Sequence, residues 1–334
     1  MKRRIEAAAA LMLIALCVAA AGAQPAAGRR EVKVLVMGMF EVGKNEGDFA
    51  GEFQHYYEAY FDGAASYAIP GFPGTLFLNG EGVAGCVAGM GKAQAASTLT
   101  AILADPRFDF SRAYILVSGC AGMPPLRGTL GDVVWAEELV DFELGHAWAE
   151  SDIAPGTKAT FQRSEGYDRS GYVKLNKGLV DWAYGLTKGL ALADDPKAAA
   201  YRANYGAKEA AEKPAVRRGV SVTGDSYWHG ARSSAHADEV CAAYGAGPYL
   251  ATQMEDNGFG VAALNFGLLD RLLICRDIVN FDQPYPGQTV PESLAASSGG
   301  FSMGMTNGFM AGSTVINAVL ADWASFKAAP PAAK

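Results

Sequence analysis

The sequence predicts an α/β protein, a three-layer α/β/α sandwich with helices on both faces of a mixed central sheet. Residues 32–39 (VKVLVMGM), 113–117 (AYILV) and 272–279 (LLICRDIV) are mostly aliphatic runs with many β-branched side chains, the composition of strands buried on both faces. Helix-forming stretches lie between such runs, so strand and helix alternate along the chain. Half of the 334 residues are hydrophobic, enough for one large core. No internal repeat and no domain-scale linker divides it.

In order, Lys2, Arg3 and Arg4 form a positive start, and residues 7–21 are apolar. Ala21-Gly22-Ala23 closes the segment with a small-x-small site. Residues 1–23 therefore read as a cleavable signal peptide, with export to the periplasm or the medium as the expectation. Their apolar part falls short of the about 20 residues that a membrane span needs. Residues 24–30 read as a linker, 31–328 as one domain, and 329–334 as a Pro/Ala tail. After the first strand, residues 45–60 are polar and aromatic and are expected to cover a cleft. Residues 75–78 and 82–88 read as strands joined at Asn79-Gly80, a strong turn pair. Gly91-Lys92 opens a helix over 93–103, and 113–117 is the next strand. Residues 118–122 then read as a turn or a ligand loop, and 133–135 as a strand. Residues 175–193 read as a helix, 219–222 as a strand, and 253–266 as a helix stopped by Gly267. Residues 272–279 form the last strand and 306–326 the last helix.

The net charge of −7 and the lack of a basic stripe argue against a nucleic-acid polymer as partner. No segment after residue 23 is long and apolar enough to span a membrane. Of five cysteines, Cys17 lies in the signal segment. Cys86, Cys120 and Cys275 lie in or beside apolar runs, so these are expected as buried thiols. Neither they nor Cys241 sit at metal-ligand spacing to one another or to the four histidines, so no metal is expected. Gly91-Lys92 is followed by Ala93, which breaks the P-loop pattern. No G-x-S-x-G is present.

Ligands of open α/β sheets bind beyond the carboxyl ends of strands, and those ends carry the candidate residues here. Glu41 follows the first strand. Ser118, Gly119, Cys120, Ala121 and Gly122 follow the third, where glycines let a backbone approach a ligand closely. Tyr227 and Trp228 follow another and are suited to stacking on a planar base. Met254 and Glu255 stand near a helix start, where Glu255 can accept hydrogen bonds from a vicinal diol. Asp277, Asn280 and Asp282 end the last strand, where buried polar groups need partners.

The order of these features matches one family. The chain resembles the purine nucleoside permeases, themselves similar to the nucleoside phosphorylase and nucleosidase fold. The resemblance rests on Val36-Met37-Gly38-Met39-Phe40-Glu41, on Gly89-Met90-Gly91-Lys92-Ala93-Gln94-Ala95-Ala96, and on Ser118-Gly119-Cys120-Ala121-Gly122 with Gly131-Asp132-Val133-Val134. Val222-Thr223-Gly224-Asp225-Ser226 and Gln253-Met254-Glu255 follow, then Cys275-Arg276-Asp277-Ile278-Val279-Asn280-Phe281-Asp282.

The resemblance implies a purine nucleoside ligand. Met254 and Glu255 would hold the ribose, Tyr227 and Trp228 would flank the base, and residues 118–122 would lie near the anomeric carbon. Asn280 takes the place of the base-contacting acid; it can donate a hydrogen bond but cannot protonate. Asp282 or Asp277 would supply a proton if its pKa is raised. In nucleosidases a second glutamate positions water. Gly43 stands at its place here, leaving Glu41, Glu46 or Glu52 as substitutes. Many phosphorylases bind phosphate through an arginine before the glycine-rich run, where this chain has Val117. The implied chemistry is N-glycosidic cleavage, with phosphate as a possible co-substrate and no other cofactor. The alternative is a non-catalytic nucleoside-binding component of transport. Homo-oligomers are also implied.

Overall fold

The computed structural model describes residues 28–152, 160–163, 166 and 168–333. Residues 1–23, read from the sequence as a signal peptide, lie outside the described residues. Ten strands form the main sheet. They are β1 (Val34–Gly38), β2 (Ala65–Ile69), β3 (Phe72–Leu78), β4 (Val83–Val87), β5 (Tyr114–Met123), β6 (Val133–Asp141), β7 (Tyr172–Lys174), β8 (Val216–Thr223), β9 (Tyr249–Gln253) and β10 (Leu272–Phe281). The sheet order is β7-β6-β8-β9-β5-β1-β4-β3-β2, with β10 paired to both β5 and β6. The ladders β5-β10, β10-β6, β6-β8, β8-β9 and β9-β5 therefore close on themselves, so half of the sheet rolls into a ring. The β9-β5 link is the single pair Thr252↔Gly122, which brings the carboxyl ends of these two strands together.

The main helices are α1 (Lys92–Ala104), α2 (Lys177–Thr187), α3 (Pro196–Arg202), α4 (Ala231–Tyr244), α5 (Asp256–Asn265) and α6 (Gly300–Ala321). Helices α1 and α5 pack together, while α6 lies along β10 and β5 with α2 beside it. The mixed sheet with helical layers agrees with the expected class. Trp135 is fully buried in the core, and its Nε1 donates to Thr187 Oγ1 at 2.9 Å, so its one polar atom is satisfied on α2.

Five local expectations need correction. Residues 118–122 are not a turn, because β5 runs extended through them to Met123. Glycine in a strand interior marks a close approach, and a Cβ on Gly119 would sit 2.6 Å from Glu52 Oε1. Gln253 ends a strand rather than opening a helix, and α5 begins at Asp256. The short apolar segment 249–253 has too little length to announce itself as a strand. The strand starting at 133 runs on to Asp141, and the helix read over 175–193 shortens to α2. The last helix starts six residues before 306, at Gly300. Its glycines at 300, 304, 308 and 312 recur every four residues and face the sheet: Cβ atoms on Gly304 and Gly308 would stand 2.7 Å from Val279 Cγ1 and 2.5 Å from Asp277 Oδ1. The glycines lower helix propensity but let α6 lie directly on β10. Helix α4 has no counterpart in the sequence reading. Arg232, His236, Asp238 and Glu239 interrupt its alanines and serines, so few large apolar side chains mark the face it buries.

Candidate functional site

The site forms where β1, β5, β9 and β10 deliver their ends to one place. From β10, Arg276 points into the sheet interior and is 1% exposed. Its Nε donates to Asp256 Oδ1 at 2.9 Å, and its Nη2 donates to the same oxygen at 2.5 Å and to Glu255 Oε2 at 3.2 Å. Nη1 donates to the carbonyl of Cys120 at 3.2 Å. A buried guanidinium is held only by such full pairing.

Glu52 approaches from the loop after β1. It is buried, and its Oε2 accepts from Met39 N at 2.6 Å. Oε1 accepts from Cys120 N at 2.8 Å. Gly119 leaves the space that this carboxyl occupies. Burial pushes the Glu52 carboxyl up to about 8, against the pull of Arg276 and with the push of Glu255. Residue 120 is thus clasped by its backbone, N–H to Glu52 and carbonyl to Arg276.

Glu255 is also buried, and its Oε1 accepts from Gly91 N at 3.0 Å. Gln253 sets the turn, its Oε1 accepting from Glu255 N at 2.7 Å and Asp256 N at 2.9 Å. The start of α1 is crowded with acids. Lys92 N donates to Asp225 Oδ1 at 2.9 Å, and Lys92 Nζ meets Asp141 at 2.9 Å and Glu143 at 2.6 Å.

Beside this cluster a narrow cavity is lined by Gly122, Tyr227, Trp228, Thr252, Gln253, Met254, Asn280 and Asp282. A second cavity adjoins it, sharing Tyr227 and Asn280 and adding His229 and Leu294. Trp228 stacks on Phe142 at 5.3 Å and 19°, while Tyr227 is exposed. Asn280 Nδ2 donates to the Phe281 carbonyl at 2.9 Å. Asp282 is 1% exposed; its Oδ2 accepts from Tyr249 Oη at 2.5 Å, and its Oδ1 has no protein partner among the described residues. Burial pushes its carboxyl up to about 7. Two buried carboxyls with raised pKa values, Glu52 and Asp282, stand at these strand ends, a pattern that marks functional sites.

The family model described as purine nucleoside permease (NUP) matches residues 31–331. The chain belongs to the purine nucleoside permease family. It is 29% identical over 263 residues to a probable purine nucleoside permease of Schizosaccharomyces pombe, covering 70% of this chain and 75% of that protein. A purine nucleoside permease of Candida albicans is 27% identical over 256 residues, covering 70% of this chain and 63% of the relative. The chain thus spans less than two thirds of that second relative. Among solved structures, the 5'-methylthioadenosine/S-adenosylhomocysteine nucleosidase of Neisseria meningitidis superposes with a TM-score of 0.53 at 14% identity, covering 86% of this chain and 99% of that one. The futalosine hydrolase of Helicobacter pylori gives 0.55 at 13% identity, covering 86% and 98%. At such identities the likeness is one of fold.

In this member of the purine nucleoside permease family, several anticipated residues converge and others do not. Gly122, Tyr227, Trp228, Met254, Asn280 and Asp282 line one cavity. Glu255 and the backbone of Gly119 and Cys120 lie at the buried cluster. Glu41 does not reach it. Its carboxylate accepts from Val42 N at 2.8 Å, Phe53 N at 3.0 Å, Gln54 N at 2.6 Å, and also Gly51 N. It therefore ties the loop and the start of the short helix Gln54–Tyr56, and Glu52 takes the inward position. Ser118 also turns away: its Oγ accepts from Tyr56 Oη at 2.9 Å, on the α6 side. Ala121 packs with Met123, Ile278 and Phe281. The cysteines Cys86, Cys120, Cys241 and Cys275 are all free thiols. No helix of the described residues is long and apolar enough to cross a membrane.

Asp277 corrects a further expectation. Its neighbours Arg276 and Asn280 face the site, but strand alternation turns Asp277 to α6, where Gly304 and Gly308 make room for it. Its Oδ2 has no protein partner among the described residues, and burial pushes its carboxyl up to about 7. A carboxyl with a folded pKa above its unfolded value loses stability as pH rises from about 4 to about 7. Asp277→Asn is therefore expected to flatten this part of the stability-pH curve and to be more stable than wild type at pH 8, by a few kcal/mol at about 1.4 kcal/mol per pKa unit. Urea unfolding at pH 4, 6 and 8 checks this; a parallel drop of wild type and variant across that range removes Asp277 as the cause.

Proposed function

We propose that this chain binds purine nucleosides and hydrolyses their N-glycosidic bond. The observation that carries the reading is the convergence of Glu52, Arg276 and Glu255 on the backbone of residues 119–120, beside a cavity lined by aromatic and amide side chains. The transition state of such cleavage resembles an oxocarbenium ion with charge developing on the departing base. Carboxylates beside the sugar stabilise that cation. Glu255 accepts from the ribose hydroxyls, Met254 fills space against the sugar, and Tyr227 and Trp228 flank the base. Glu52 takes the role of the water-positioning glutamate that the nucleosidase resemblance implies.

Water rather than phosphate is the acceptor in this reading. Val117 is fully buried at the place where phosphorylases carry an arginine. At the start of α1, a natural anion site, the N–H groups of Gly91 and Lys92 already donate to Glu255 and Asp225. Asp141 and Glu143 neutralise Lys92. A second reading, a non-catalytic nucleoside-binding component of transport, is favoured by the names of the relatives. In either case we propose that the mature chain acts outside the cytoplasm, on the strength of its leader segment.

The test is incubation of the mature protein with inosine, adenosine and guanosine, with and without phosphate, followed by chromatography. Free base with ribose is the expected result, unchanged by phosphate. Ribose 1-phosphate overturns hydrolysis in favour of phosphorolysis. Intact nucleoside that binds in calorimetry overturns catalysis and leaves the carrier.

A further inference from the structure

Asn280 stands where the resemblance puts the acid that meets the base, yet an amide has no proton to give. Its Nδ2 is already engaged with the Phe281 carbonyl. The same cavity contains one carboxyl, Asp282. That carboxyl is 1% exposed, and one of its oxygens has no protein partner among the described residues. Such an orphan atom is costly unless a ligand or water meets it. The other oxygen is held by Tyr249 Oη at 2.5 Å, whose own oxygen lies 2.7 Å from Ser234 Oγ. The Arg127 guanidinium lies over the Tyr249 ring at 5.0 Å and is paired with Asp238, so the ring is clamped from behind. Asp277, the other carboxyl at this strand end, faces the glycines of α6 on the opposite side.

We infer that Asp282, oriented by Tyr249, is the acid that protonates the departing base in place of the side chain at 280. The inference rests on the hydrolase reading above. In the step, the C1'–N9 bond breaks and its electron pair leaves with the purine. The proton on Asp282 Oδ1 passes to a ring nitrogen of the base. A water oxygen bonds to C1' and gives its proton to Glu52, and solvent returns that proton to Asp282. The sum is nucleoside plus water giving base plus ribose. Asp282 is the catalytic residue of this step and Tyr249 a positioning residue.

The groups that share the field of Asp282 are Tyr249 on β9, Asp238 on α4, Arg127 after β5, Tyr205 after α3 and Tyr227 after β8. The Tyr249 hydrogen bond holds the Asp282 carboxyl down, against the burial that raises it. Without that bond the proton is retained to higher pH.

The experiment compares two substrates: inosine, whose base needs a proton to leave, and p-nitrophenyl β-D-ribofuranoside, whose phenolate does not. Wild type is expected to hydrolyse both. Asp282→Asn is expected to lose about 100-fold or more on inosine, the usual scale of acid catalysis, and under about tenfold on the activated riboside. Tyr249→Phe is expected to move the alkaline limb of the inosine profile to higher pH and to leave the riboside profile in place. Equal losses on both substrates for Asp282→Asn overturn the assignment while the hydrolase reading stands. An unmoved limb in Tyr249→Phe overturns the role of Tyr249. Wild type that hydrolyses neither substrate overturns the hydrolase reading, and the acid assignment falls with it.

Discussion

Replacing Glu52 with Gln is expected to lower inosine hydrolysis by about 100- to 10,000-fold, the range that general-base catalysis contributes, with the nucleoside still bound. Glutamine keeps the size and one acceptor oxygen, so the hydrogen bond from Cys120 N survives. What is lost is the ability to take a proton from water, together with the hydrogen bond from Met39 N, which an amide nitrogen cannot accept. The pH profile supplies an independent check. Glu52 must be ionised, which it reaches at about 8, while Asp282 must keep its proton, which it loses at about 7. Because the base's value lies above the acid's, only a minor share of the enzyme holds ionised Glu52 and protonated Asp282 together, and wild-type kcat/KM peaks in a bell centred between those values. Single-turnover hydrolysis by Glu52→Gln at near wild-type rate would falsify the assignment of Glu52 as base.

Replacing Arg276 with Met is expected to destabilise the fold by about 3–5 kcal/mol, the usual cost of removing one partner from a buried ion cluster. Asp256 is fully buried and Glu255 nearly so, and both lose their cation. The β5 segment holding Cys120 also loses its hydrogen bond from Nη1. Adding Asp256→Leu to Arg276→Met is expected to recover part of the loss, because the second change removes an uncompensated charge. Guanidinium unfolding of wild type, single and double variants measures this. A loss below about 1 kcal/mol in the single variant means that Glu255 and Asp256 find other partners, and Arg276 then has no structural hold on the site.

Both variants probe groups that the sequence displayed without explaining. Arg276 stands in the middle of an apolar run, and a charge inside a buried strand requires a partner. Alternation along residues 272–281 already separates Arg276, Asn280 and Asp282 from Asp277, because successive side chains leave opposite faces. That parity was the available signal for turning Asp277 away from the cavity. No such signal distinguishes Glu41 from Glu52. Both lie in irregular chain near glycines, and both end by accepting backbone N–H groups. Only the path of the loop decides which one reaches residue 120.

The alternation of strands and helices, the buried character of β1, β5 and β10, and the placing of candidate residues at strand ends were legible in the sequence itself, because hydrophobic pattern and turn chemistry are local. The closure of β5, β10, β6, β8 and β9 into a ring was decided only in three dimensions, since strand pairing joins residues far apart along the chain. The same holds for the site. Gly119 announces a close approach but not its visitor, and the visitor is Glu52, 67 positions earlier. The pKa values of Glu52, Asp277 and Asp282 likewise belong to the folded state, because burial raises them and burial is a property of packing.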